Sequence, residues 1–453
     1  MVLFLQETGN RQFMGQFWLV SADMGYGHHR AIYPLKQLAY NGIILNANNI
    51  PGASAKERRL WASIRSGYEF VSRAGELPLI GFIFTRFLNN LLYIPKFYPL
   101  SDRSGITYQV KYLKRSIRRG MARSLTEMII NPELPVVTSF YSIAIAAEMS
   151  GHKAIYCIIC DIDISRVWVS EDPYNTNITY FASGSISEQR LHSYGVPEKN
   201  ILLTGFPLPL ELLGDRSLNI LKSNLIRRLM ALDPEGRFYN LYKHSINAYL
   251  DYNQALISNP SMRNQPLTIT FAVGGAGAQK ETGEQIAESL AGLIAEGKIR
   301  LNLAAGTKKD ICDYFNDIRE KYSAETGNIR VIWDENTAGY FEKFNKILAD
   351  TDLLWTKPSE LSFYCALGLP IIITPPIGPQ EKSNRRWLRE TGAGLKQLNP
   401  RFTHQWLTDL HSKGRLAEAA WLGFLKARKY GTYNILDYLE KGSFHNSNDP
   451  LKR

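Results

Sequence analysis

From Phe17 to Ala31 the chain reads FWLVSADMGYGHHRA, an apolar run that breaks into a glycine-rich turn and presents two adjacent histidines. The pattern predicts a strand, a tight loop and the opening of a helix. Gly25 and Gly27 let the backbone turn sharply and approach a ligand, and His28 and His29 fall where the helix begins. An imidazole near the carboxyl edge of a strand is well placed for acid–base work on a substrate held in the crevice there. A plain strand-to-helix turn carrying two solvent histidines would have the same local sequence, so the remaining motifs carry the decision.

A second strand–turn–helix signature, LTITFAVGGAGAQKETGEQIAESL, puts Gly274, Gly275 and Gly277 where backbone N–H groups and a helix N-terminus would face a phosphate. Farther on, Asp352 to Gly394 holds a strand, a Lys-Pro loop with Glu360, a Gly-Leu-Pro strand entry, and a loop with Gln380, Glu381 and Asn384. Amide and carboxylate groups at that spacing can hold sugar hydroxyls through several directed hydrogen bonds. Gln380 and Glu381 would otherwise cap the helix after Pro379. Asp161-Ile162-Asp163 is a D-x-D that could bind a divalent cation. It is short and common, and the glycine loops already offer a metal-free phosphate site, so no metal or cofactor is expected.

Strand-like and helix-like segments alternate throughout, which predicts an α/β fold of two Rossmann-like domains whose parallel sheets face a central cleft. Strands are expected at 17–21, 42–46, 136–138, 154–159, 177–182 and 201–204, and again at 267–273, 299–304, 329–333, 351–356 and 370–374. The expected organisation is a first Rossmann-like domain over 1–212, a helical interdomain insertion over 213–266 and a second Rossmann-like domain over 267–429. Residues 430–453 are expected as a helix and tail packing back on the first domain. Cys157 and Cys160 lie three apart in a strand-like run, on opposite faces, and read as core residues rather than a redox pair.

The chain has 453 residues, 45% of them hydrophobic, with a net charge of +11. Between Pro51 and Leu125 fourteen Lys and Arg residues face only four carboxylates, so nearly all of the net charge resides there. The same segment contains LPLIGFIFTRFLNNLLYIPKFYPL, Leu77 to Leu100. An apolar run set inside a basic zone suits an interfacial element on an anionic membrane surface better than a nucleic-acid surface. No apolar run is long enough to span a bilayer, and the VLFL at the start is too short for a secretory signal. A cytoplasmic protein, peripheral on the inner face of the membrane, is expected.

Taken together the motifs resemble the GT-B glycosyltransferases, and among them the monogalactosyldiacylglycerol synthase and processive diacylglycerol glucosyltransferase group. The group's S-x-D-x-G-x-G-H loop is matched by Ser21, Asp23, Gly25, Gly27 and His28. Asp161, Trp168, Thr204, Gly205 and Pro207 match a following segment, and Pro379, Gln380, Glu381 and Asn384 match the P-G-Q-E-x-x-N loop with Pro and Gly exchanged. The resemblance implies an inverting, metal-independent sugar transfer from a UDP-sugar to a lipid hydroxyl. It implies His28 and Asp161 as catalytic residues, and Gly25, Gly27, His29 and Trp168 around the acceptor. Gly274, Gly275, Gly277, Trp333, Glu360, Gln380, Glu381 and Asn384 would surround the donor, with the backbone near Trp333 flanking the base.

Three departures stand out. Ser165 replaces a histidine of the group, and the K-P-G-G loop reads Lys357, Pro358, Ser359, Glu360. Glu360 near a diphosphate would be repulsive, so it is expected on ribose or sugar hydroxyls. Two other readings of the same fold stay open: a UDP-sugar epimerase, and a non-catalytic nucleotide-sugar or lipid-binding descendant.

Overall fold

The computed structural model describes residues 16–63, 93–258, 261, 265–274, 277, 279–323, 325–447, 449 and 453. Much of the expected membrane-facing stretch Leu77–Leu100 lies outside these.

Short runs of Val, Ile and Leu, buried on both faces, are what a parallel sheet between helices selects. Six form the first sheet: β1 (Trp18–Ser21), β2 (Leu45–Asn46), β3 (Val136–Thr138), β4 (Ile155–Ile158), β5 (Ile178–Ala182) and β6 (Ile201–Leu203). Six form the second: β7 (Leu267–Ala272), β8 (Ile299–Gly306), β9 (Ile329–Trp333), β10 (Leu353–Thr356), β11 (Ile371–Ile373) and β12 (Gly394–Lys396). Every pairing within them is parallel.

The strand orders are β2-β1-β3-β4-β5-β6 and β12-β11-β10-β7-β8-β9, two doubly wound sheets. Each order reverses once, between β1 and β3 in the first sheet and between β7 and β10 in the second. Ligands of such sheets bind where the order reverses, beyond the carboxyl ends of the two strands. The loops after β1, β3, β7 and β10 therefore mark the place for a site; Ser139, Gly274 and Lys357 lie in them, and His28 lies in the helical turn that follows the first.

Two strand expectations change. β2 is two residues rather than five, because Asn41 and Gly42 take positive φ in a turn that ends just before it. β12 was not expected; three residues at a sheet edge with no fully buried member leave no apolar run to read. Cys157 and Cys160 are both buried and unbonded to each other.

Among the described helices, eight bear on the cleft and its surroundings: α1 (Tyr26–Ile32), α2 (Tyr108–Arg118), α3 (Asn219–Leu232), α4 (Lys280–Ala295), α5 (Thr337–Asp350), α6 (Pro379–Thr391), α7 (Arg415–Lys426) and α8 (Gly431–Lys441). Within the 213–266 stretch, α3 is bonded to the second domain. Its Arg228 guanidinium donates to the carbonyls of Thr351 and Leu367, each at 2.7 Å, and Arg227 pairs with Asp352 at 2.7 Å. α8 lies against the first domain: Tyr438 packs edge-on to Tyr156 and Phe181, and Asn434 donates to the Thr204 carbonyl at 2.9 Å.

Candidate active site

The first wall of the cleft is built by β1 and β3. Gly25 ends the loop after β1 at φ 110°, ψ 163°, a conformation that side chains resist, and α1 starts at the next residue. His28, on the first turn of α1, has Nδ1 2.7 Å from the Ser139 carbonyl, and the Ser139 hydroxyl donates back to the His28 carbonyl at 2.7 Å. A carbonyl only accepts, so Nδ1 carries the proton and Nε2 is left with a free lone pair. The ring sits edge-on to Phe140 at 4.7 Å, with Trp168 at 6.3 Å. Crowding by these groups withdraws water and pushes the imidazole down to about 4, against the opposing effect of the Ser139 carbonyl. His28 is thus neutral, and far less basic than a free histidine. His29 is held by Ser21 Oγ at 2.9 Å, and its pKa is also lowered by burial, with Asp23 acting in the opposite sense.

The second wall comes from β7 and β10. Gly274 follows β7, and Lys357 follows β10 and lies across it: a Cβ at Gly274 would come within 2.7 Å of Lys357 Cε. With glycine there the lysine crosses the turn without having to shift. The Lys357 ammonium pairs with Glu381 Oε1 at 2.9 Å, which holds its pKa above the ordinary lysine value, while Glu381 Oε2 accepts the Ile377 N–H at 2.8 Å. Glu381 therefore braces both the lysine and the entry to its own helix, α6.

Three ties cross between the walls. Asn384 of α6 is fully buried; its Oδ1 accepts the Ile162 N–H at 3.0 Å and its Nδ2 donates to Asp161 Oδ1 at 3.0 Å and the Pro358 carbonyl at 3.2 Å. Arg30 of α1 pairs with Glu360 at 3.1 Å, and its guanidinium lies 4.6 Å from the Phe341 ring and 4.4 Å from the Phe344 ring of α5. Tyr26 accepts the Thr307 N–H at 2.7 Å, and Gly306 carries no side chain that would block the phenol. Asp161 sits where the walls meet. Burial and the Glu360 and Glu381 carboxylates push it up to about 6, while the Asn384 amide and the Lys357 ammonium oppose the rise.

The cleft measures about 410 Å³. Of the expected residues, Gly25, Gly27, His28, His29, Asp161, Trp168, Gly274, Glu360, Gln380 and Glu381 line it. Gly277 has φ +75° and faces Ile311 and Lys308; Gly275 lies outside the described residues. Trp333 stands apart, at the end of edge strand β9, where its carbonyl accepts from Lys343 at 3.1 Å and Lys309 approaches its ring. Two expected roles change. Asn384, expected on the sugar, spends its whole amide on Asp161, Ile162 and Pro358. Glu360, expected on hydroxyls, is the partner of Arg30 and closes against Gly27, where a Cβ would meet its carboxylate at 3.1 Å. Asp163 does not join Asp161 as a ligand pair, because both of its oxygens are taken by Arg190 at 2.8 and 3.0 Å. Ser165 is fully buried with no hydrogen-bond partner for its hydroxyl. Sequence reasoning passed over Tyr26, Arg30 and Thr307. The glycine at 306 just before Thr307 was the available signal, since it ends a long strand at a sheet's carboxyl edge.

No family model matches the sequence. The processive diacylglycerol β-glucosyltransferase of Bacillus pumilus strain SAFR-032 is 20% identical over 291 residues, 63% of this chain and 61% of that protein. The enzyme of the same name from Bacillus subtilis strain 168 is 21% identical over 241 residues, 52% of this chain. The chain is thus a distant relative of these glycosyltransferases by sequence, with the architecture of two doubly wound parallel sheets. It spans 61% and 49% of the length of these two relatives. Among solved structures, the MnaA–UDP co-structure from S. aureus aligns over 94% of this chain and 96% of its own at 12% identity and a TM-score of 0.45. MurG of Acinetobacter baumannii aligns over 73% and 78% at 13% identity and a TM-score of 0.40. At such scores the likeness is loose, and the architecture is read from the two sheets themselves.

Proposed function

We propose that this GT-B protein moves a sugar from a UDP-sugar to a hydroxyl of a membrane lipid, with inversion at the anomeric carbon. The observation that carries the reading is one cleft with a neutral histidine of open Nε2 on one wall, a lysine over a glycine turn on the other, and a carboxylate between them. The acceptor oxygen attacks the anomeric carbon as the bond from that carbon to the diphosphate breaks. His28 Nε2 takes the acceptor proton, and the Ser139 carbonyl strengthens its bond to Nδ1–H as the ring becomes cationic. With so low a basicity, His28 gains the proton only as the new C–O bond forms. Asp161, facing the donor wall, stabilises the positive charge that develops on the sugar ring, so it must be ionised. Lys357 meets the charge on the departing UDP, a role that requires no metal.

The lipid acceptor rests on the curated relatives' names and on the described part of the basic segment. There Tyr98 and Leu100 are about three-quarters exposed and Tyr108 and Tyr112 project from α2, whose Val110 and Leu113 are buried. Aromatic rings above cations suit the headgroup boundary of a bilayer. Among the described residues no helix is long and apolar enough to cross one.

Thermal-shift titration with UDP-, GDP-, ADP- and dTDP-sugars, with and without EDTA, followed by transfer to diacylglycerol in mixed micelles, tests the proposal. Stabilisation by a UDP-sugar indifferent to EDTA, and a glycolipid product, are expected. Epimerisation of the UDP-sugar with no acceptor present, or no stabilisation by any donor, refutes it.

A further inference from the structure

The helix that holds the donor wall has a second face. Along α6 the residues Asn384, Leu388 and Thr391 are buried, at the spacing of one helical stripe. Lys382, Arg385, Arg386 and Arg389 occupy the opposite stripe, at i, i+3, i+4 and i+7, and with Pro376 and Glu390 they line a groove of about 520 Å³. Arg386 leans toward Glu390 at 3.8 Å, the one carboxylate among the groove's lining residues. Four cations held in a row raise the positive potential of the groove, and each repels its neighbours unless an anion lies among them. The groove and the cleft share the loop and first turn that open α6: Ile377, Gly378, Gln380 and Glu381 line the cleft, while Pro376 and Lys382 on either side of them line the groove.

We propose that this stripe is a docking site for the phosphoryl headgroups of an anionic bilayer, made by the nucleotide-sugar domain and separate from the aromatic, basic surface of the first domain. Charge complementarity identifies the partner, and continuity with the cleft mouth gives it a use. A bilayer that supplies the acceptor to one domain also holds the other, so the two walls meet over the membrane. The inference rests on the lipid-acceptor reading only for that use; the anionic contact stands by itself.

The test compares the full-length protein with the variant Lys382→Gln/Arg385→Gln/Arg386→Gln/Arg389→Gln. These side chains lie outside the cleft, so stabilisation by the UDP-sugar is expected to be unchanged in the variant. Sedimentation with vesicles of phosphatidylglycerol and of phosphatidylcholine is measured at two salt concentrations, and repeated with inorganic phosphate as competitor. A cation near an anionic surface is worth about fivefold in partitioning. Loss of four such cations, one of them countered by Glu390, is therefore expected to weaken binding to phosphatidylglycerol vesicles by roughly a hundred- to six-hundredfold at low salt, with binding to phosphatidylcholine unaltered. Equal binding by variant and wild type overturns the proposal. Inorganic phosphate that, at constant ionic strength, abolishes the difference at concentrations well below that of the lipid phosphoryl groups would also overturn it, in favour of a site for the free anion. Failure of every UDP-sugar to bind, with vesicle binding still dependent on the stripe, refutes the transferase reading and leaves the docking site standing.

Discussion

Asn384→Ala is expected to move the pH dependence of turnover without abolishing turnover. In the cleft the Asn384 amide donates to Asp161 Oδ1 at 3.0 Å and is a main influence keeping that carboxyl from rising above about 6. A hydrogen bond to a charged acceptor is worth about 1.5–3 kcal/mol, and a pKa unit corresponds to about 1.4 kcal/mol. Removing the bond disfavours the ionised form, so the pKa rises by roughly one to two units, to about 7–8. Asp161 acts as a carboxylate, so activity rises with pH through its pKa. The acid limb of kcat/KM for the UDP-sugar is expected near pH 6 in the wild type and roughly one to two units higher in the variant. At pH 7 the variant then retains about a half to a tenth of the wild-type rate, and it recovers at pH 9. The assay is release of UDP followed from pH 5 to 9 at constant ionic strength, with Asp161→Asn as the control that removes the limb. A limb that stays in place, or a loss that alkaline pH does not restore, refutes the assignment of both residues.

Gly274→Ala drives a methyl group to within 2.7 Å of Lys357 Cε and must displace the lysine; kcat is expected to fall about tenfold with a smaller change in KM for the UDP-sugar, read from steady-state kinetics. Glu360→Gln leaves the buried Arg30 guanidinium without its counter-charge. Breaking such a pair costs about 3–5 kcal/mol, so calorimetry is expected to show a lower melting temperature and small-angle scattering a larger radius of gyration. Arg30→Met combined with Glu360→Gln is expected to regain part of the melting temperature, because no uncompensated charge remains.

The part of this molecule legible in its sequence is the part written in short-range pattern. An apolar run into Gly25 and His28, and another into Gly274, give strand, turn and helix without reference to anything distant, and both lie where predicted. The long parallel strands follow from their continuous Ile, Leu and Val. What could not be read is what each polar side chain does once the domains meet. Asn384 and Glu360 belong to stretches that match sugar-binding motifs, yet their partners, Asp161 and Arg30, are far away in the chain and on the other domain. Spacing within a motif says which groups share a neighbourhood; it carries no information about a partner brought there by a second sheet. The depressed basicity of His28 was hidden for the same reason, since Phe140 and Trp168, which dry its surroundings, come from other loops.

The seat of Arg30 among the rings of α5 has a mechanical meaning. A guanidinium is attracted to the face of an aromatic ring, and here several rings offer faces to it at once, so a turn that weakens one contact can strengthen another. Such a contact resists being pulled apart but yields to turning, as a ball joint does, whereas the directed bonds of Asn384 and Tyr26 tolerate neither. The two domains are accordingly expected to swivel about Arg30 with the other two ties released first, opening the mouth of the cleft while its base stays joined. Scattering from Asn384→Ala should then report a smaller expansion than scattering from Glu360→Gln; the reverse order would place the pivot elsewhere.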